Sequence, residues 1–144
     1  MPLLFHWRGK NYRADIQNGT VYTYNLNQNS KAMLRAEPGD TIWAFTRRQD
    51  DIYVLAVKGL IKELSRDFGS PYGAHRVWLD QKQTVYFDIE EGLDVEQTIR
   101  SLEITTNGRV LGWSFRGHAG VREISKADNQ KLEKFAERLR PTAV

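Results

Sequence analysis

The clearest strand pattern lies between Thr41 and Thr46, where the apolar run Ile42-Trp43-Ala44-Phe45 is bracketed by threonines and every residue suits a pleated strand. Ile42, Ala44 and Thr46 share one parity and Thr41, Trp43 and Phe45 the other, the period of two that marks a strand. Pro38-Gly39-Asp40 precede it as a turn, since Pro fixes φ and Gly and Asp are favoured turn residues. Trp43 and Phe45, two positions apart, must lie on one face, and Arg47 and Arg48 follow at once. The turn Arg48-Gln49-Asp50-Asp51 leads into a near-uniform apolar strand over 52–57, extending through Gly59 to Lys62 and pairing with the first as an antiparallel hairpin. Gly59 within it predicts a bulge or a close backbone approach.

Other elements are shorter. Phe5 to Arg13 predicts a short strand running into a loop, Asn18-Gly19 a tight turn, and Val21 to Tyr24 a β-rich segment. Asn25 to Ser30 is a polar loop in which Ser30 could cap one helical turn reaching Arg35. A loop over 64–72, strands over 76–79 and 84–89, a short helix over 94–102 and a turn at Asn107-Gly108 follow. The end is the most explicit. Ser125-Lys126-Ala127-Asp128 reads as a helix N-cap with an acid at the third position. Leu132, Phe135, Ala136 and Leu139 then recur at helical spacing until Pro141, predicting a C-terminal helix over 125–139. The expectation is one α+β domain spanning 1–144, a mixed sheet with a few flanking helices.

Composition narrows the function. Apolar residues make up 40% of the 144, and no run approaches the ~18 that a membrane span needs. The start has no basic leader and no small-residue cleavage site, so a cytoplasmic protein with no membrane partner is expected. With no cysteine, disulfides, thiolate metal sites and Cys nucleophiles are excluded. The net charge of +3 is uneven: residues 1–48 carry seven Lys/Arg against three acids, and the remainder 14 against 15. The basic excess therefore accompanies the aromatic strand, as a local nucleic-acid footprint would.

Catalytic chemistry is sparse. His6, His75 and His118 are far apart and none has a second ligand at metal-binding spacing, so no metal or cofactor is expected. Asp50-Asp51 and Glu90-Glu91 fall in turns; Asp80, Lys82 and Asp88 are the set a metal-dependent nuclease could use, without distinctive spacing. Aromatic and basic residues are abundant by contrast: Trp7, Tyr12, Trp43, Phe45, Tyr72, Trp78 and Trp113, with Arg8, Arg47, Arg48, Arg76 and Arg116 near them in sequence. Stacking a base on an aromatic is worth roughly 1–3 kcal/mol, so two such walls could hold one extruded base. About half of the tryptophans are expected in the core.

Several of these stretches together resemble the PUA-like superfold, and within it the EVE and YTH-like branch. They are Pro38-Gly39-Asp40 with Thr41-Ile42-Trp43-Ala44-Phe45, the apolar strand to Gly59, Trp7 with Asn11, the Asn25–Ser30 loop, and Trp113-Ser114-Phe115-Arg116-Gly117 running into Gly120–Ser125. The resemblance implies a compact mixed β-barrel that binds DNA or RNA and holds a modified base in an aromatic pocket. Some members of the group are fused to nucleases in modification-dependent restriction systems. It further implies Trp43 with Trp7 or Trp78 as cage walls and Asn11 or Asn29 as the reader of the base edge. Lys58-Gly59-Leu60-Ile61-Lys62-Glu63 departs from the Gly-x-Lys-x-x-Glu-x-Arg signature of the hydrolytic ASCH branch.

The function expected is a non-catalytic module that reads a single flipped, modified base, in DNA rather than RNA, with a nuclease subunit as a possible partner. Trp7, Asn11, Asn29, Trp43, Phe45, Tyr72, Trp78 and Trp113 are its candidate base-binding residues. Arg8, Lys10, Arg47, Arg48 and Arg116 are its candidate phosphate contacts. The alternatives are a small PUA-like hydrolase or nuclease component using Asp80 and Asp88, and a protein-interaction domain.

Overall fold

A computed structural model describes residues 1–9, 12–13, 23–26 (by their backbone), 30–66, 68–69, 75–106, 108–116 and 120–142. Its strands are β1 (Leu3–His6), β2 (Thr23–Leu26), β3 (Thr41–Arg47), β4 (Tyr53–Arg66), β5 (His75–Leu79), β6 (Val85–Phe87), β7 (Val121–Glu123) and β8 (Pro141–Thr142). The helices are α1 (Glu96–Arg100) and α2 (Lys126–Ala136), with 3-10 turns at Lys31–Leu34 and Leu111–Ser114. None of these helices is long and apolar enough to cross a membrane. The α+β organisation expected from the pattern is present.

The sheet is mixed, in the order β2-β5-β4-β3-β1-β7, with β6 paired to β4 and to β8. β1 and β3 are parallel, and β3 and β4 form the expected antiparallel hairpin. Among the described residues the sheet does not close: β2 and β7 end its path without pairing to each other.

Each side of the sheet buries its own apolar cluster. Ile42 and Ala44 of β3 join Leu3, Phe5 and Trp7 on one side. Trp43 and Phe45 join Leu4, Tyr53 and Leu55 on the other, where Ile99 of α1 and Leu132 and Phe135 of α2 cover them. This double burial explains the uniform apolar run at the start of β4, since neither face of residues 53–57 meets water. Ala44 pairs with Val57 but Phe45 pairs with Leu55, so Ala56 is an extra residue that restores the phase of the alternation. Gly59 is therefore not the bulge. It is a close approach: a Cβ there would lie 3.0 Å from Leu79 Cδ2 and 3.2 Å from Ile42 Cγ2.

Several boundaries differ from the sequence reading. β4 continues to Arg66, through what the sequence marked as loop, because Leu64, Ser65 and Arg66 pair with Val77, Arg76 and His75. β2 likewise takes Asn25 and Leu26 from the polar loop by pairing with Arg76 and His75. Ser30 precedes a 3-10 turn as expected but does not cap it; its hydroxyl donates to the Val121 carbonyl at 2.8 Å and ties the turn to β7. Helix α2 is shorter than 125–139, and Ser125 does cap it, accepting from the Asp128 N–H at 3.0 Å. The Asp128 carboxylate turns away from the cap and accepts from Glu103 N–H, joining α2 to the segment after α1. The Asn18-Gly19 turn lies outside the described residues.

Candidate nucleic-acid interface

Parallel β1 and β3 end side by side, with the Trp7 N–H donating to the Phe45 carbonyl at 2.8 Å. Their carboxyl ends place His6, Arg8 and Arg47 together. His6 continues the Leu4 face of β1, so its ring stacks on Phe45, with centroids 4.9 Å apart and planes inclined by 25°. The Tyr53 ring meets it edge-on at 5.7 Å. Burial, with smaller contributions from the positive charges of Arg8 and Arg47, pushes the His6 pKa down to about 4. The imidazole is therefore neutral at pH 7, and its Nε2 is buried without a hydrogen-bond partner. It is a packing element at this site, and its neighbouring arginines supply the charge.

Against His6 lies the Leu111–Ser114 turn. A Cβ on Gly112 would sit 2.8 Å from His6 Cε1, so only glycine fits this approach. The Gly112 N–H donates to the Tyr53 hydroxyl at 3.0 Å, and the Arg122 guanidinium donates to the Thr105 carbonyl and, at 3.5 Å, to that of Ser114. A turn held at these points presents Trp113, a residue that is 58% exposed. The Arg116 guanidinium lies over the Trp113 ring, 5.1 Å from its centroid. Arg47, also exposed, lies over Tyr53 at 5.6 Å and 3.5 Å from the Asp51 carboxylate. The result is one exposed indole under the Arg116 guanidinium, on a turn packed against His6, the residue whose protonation Arg8 and Arg47 oppose. Such a site can stack a planar group and neutralise anionic ones.

The candidate residues named from sequence are distributed unevenly. Trp113 and Arg116 come together on the turn that packs on His6, and Arg8 and Arg47 act on that same histidine. Trp43 and Phe45 share a face, as expected, but that face is covered and both are fully buried. The indole N–H of Trp43 donates to Asn129 Oδ1 of α2 at 2.8 Å, which fixes it as core. Trp7 is buried in the opposite cluster, edge-on to Tyr12 at 5.1 Å, so Trp7 and Trp43 lie on opposite sides of the sheet and cannot form one cage. Trp78 is partly exposed but sits on β5, beyond β3 and β4 from β1, with its N–H on Ser65 Oγ at 3.1 Å and Arg76 over its ring. It does not face Trp43 across a pocket.

Arg48 is committed to the fold: its guanidinium donates to the carbonyls of Ile89, Glu90 and Gly92 and pairs with Asp50 at 2.9 Å. Lys10, Asn11, Asn29, Tyr72 and His118 lie outside the described residues. Asp80 Oδ1 accepts from the Lys82 and Gln83 N–H groups, and Asp88 Oδ1 from those of Glu90 and Glu91, so each carboxylate organises its own turn.

Tyr53, His6 and Gly112 were not anticipated in these roles. The alternation Leu4, His6 was the available signal for His6, hidden by apolar residues on both parities of β1. No protein family matches the chain, and no curated protein matches it either.

Proposed function

We propose that the chain is a non-catalytic, PUA-like nucleic-acid-binding module that reads one flipped, modified base, in DNA rather than RNA. The observation that carries the reading is the exposed Trp113, capped by Arg116 on a turn that packs against His6, where the charges of Arg8 and Arg47 at the ends of β1 and β3 are also felt. In this reading the base stacks on Trp113, and Arg8, Arg47 and Arg116 meet the phosphates on either side. Trp113 takes the part that the sequence had given to Trp43. The basic excess of residues 1–48 supports the same direction, because two of the three arginines come from it.

Tryptophan fluorescence during titration with short duplexes tests the proposal. One set is unmodified and the other carries 5-methyl- or hydroxymethylcytosine, each at two salt concentrations. Quenching that is tighter for a modified set, weakens with salt and disappears in Trp113→Ala supports it. No response to any duplex, or to single-stranded RNA, sinks it.

A further inference from the structure

A second tryptophan–arginine unit lies on the same side of the sheet. Val77 and Leu79 of β5 face the Ile42 cluster, so Trp78 between them faces the opposite side, the one that carries Trp43 and Phe45. The Leu111–Ser114 turn that bears Trp113 packs on that side too, through Leu111. Strand β4 links the two units: Tyr53 holds the Trp113 turn near one end, and Glu63 pairs with Trp78 near the other. At about 3.3 Å per residue, the run from Tyr53 to Glu63 is about 33 Å long at most, shortened by the extra residues at Ala56 and between Ile61 and Glu63. Duplex DNA rises about 3.4 Å per base pair, so that span is close to one turn.

Helix α2 covers the middle of this run. Lys58, halfway along it, lies over the Trp43 ring and pairs with Glu133 of α2. The exposed flank of α2 beside Phe135 carries Lys131 and Lys134, with Arg138 just past its end, at i, i+3 and i+7. Lys131 Nζ is held on the Ser101 carbonyl at 3.0 Å, and Arg138 lies over Phe135. Of the helix acids, Asp128 is buried and Glu133 is taken by Lys58, which leaves the exposed stripe basic with Glu137 at its end. Beside Trp78, Arg76 lies over the ring at 5.9 Å, and the adjoining stretch of β4 carries Lys62 and Arg66 together with Glu63.

We infer that one continuous nucleic acid spans both tryptophan–arginine units, with its phosphate backbone crossing the exposed flank of α2. The inference rests on the base-reading proposal and adds the length of ligand that the protein holds. Binding a nucleotide at Trp113 alone would need neither the stripe nor Trp78.

The test compares short oligonucleotides of about 4 nucleotides with long ones of about 20, all carrying one modified cytosine, as single strands and duplexes. Long ligands should bind at least about tenfold more tightly. The double variant Lys134→Glu/Arg138→Glu should remove most of that gain and lower the salt slope by roughly 1.5–2, leaving short-ligand affinity unchanged. Trp78→Ala should weaken long ligands alone, and Trp113→Ala should weaken all of them. Equal affinity for short and long ligands, or no effect of Lys134→Glu/Arg138→Glu on the long ones, overturns the inference while the base-reading proposal stands. Absence of binding at every length overturns both. Unchanged circular dichroism melting separates lost contacts from lost structure in each variant.

Discussion

The imidazole of His6 is caught between Phe45, Tyr53 and Gly112, with Arg8 and Arg47 near enough to oppose its protonation. Its folded pKa of about 4 lies below the unfolded value of 6.5, so the unfolded chain binds more protons between those limits. Stability from this residue is therefore complete above about pH 6.5 and is lost as the pH falls toward 4. The shift corresponds to about 3 kcal/mol in full. Thermal melts from pH 7 to 4 should show a falling Tm, and His6→Gln should flatten that part of the profile relative to the parent. Identical profiles would mean that the ring is not desolvated as described. Gly112 tests the same contact from the other side. Gly112→Ala drives a methyl group into His6, so it should shift the Trp113 emission spectrum and weaken ligand binding more than a surface Gly→Ala change does.

At the level of elements, neighbouring arginines have different work. Arg48 fastens the β3–β4 turn to the segment 89–92 through three carbonyls, whereas Arg47 points outward beside Asp51. Arg48→Ala should cost about 2 kcal/mol, measured by urea unfolding, and leave the salt slope of nucleic-acid binding unchanged. Arg47→Ala should do the reverse, costing little stability and lowering that slope by about one. A reversed pattern would exchange their roles. Sequence placed both residues after the strand but could not separate them, because the carbonyls that engage Arg48 lie some forty residues away.

The same division runs through the rest of the fold. β3 was legible because Thr41 to Thr46 is an unbroken run of strand-forming residues behind a Pro-Gly-Asp turn. The far half of β4 was not, because its partner β5 decides whether 64–66 is strand or loop. The α2 cap was legible because Ser125 and Asp128 are local to each other. Trp113 was legible as a candidate, but its 3-10 turn has no period that could announce exposure. The basic stripe of Lys131, Lys134 and Arg138 was readable at helical spacing along the flank of Phe135. The slight acidic excess of residues 49–144 as a whole concealed it.

Across the whole molecule, the four tryptophans divide by what covers them. Trp43 and Trp7 anchor clusters on opposite sides of one sheet, and β1 and β3 contribute to both clusters. Loss of either indole should therefore be felt by the entire fold. Trp43→Ala should cost about 3–5 kcal/mol and bring down both sides together, so any loss of binding in that variant would be uninformative. Trp43→Phe is the sharper probe. It keeps an aromatic ring in the core but strands Asn129 Oδ1, for a cost of about 1–3 kcal/mol. It should leave affinity for a modified duplex within about twofold of the parent at a temperature well below its Tm. Trp113→Ala should do the opposite: less than about 0.5 kcal/mol in stability, as for an exposed side chain, with binding lost. Urea unfolding and fluorescence anisotropy on the same three proteins would show it. Binding lost in a folded Trp43→Phe while Trp113→Ala binds normally would place the ligand at the core face of β3, and that face would then have to open by moving α2.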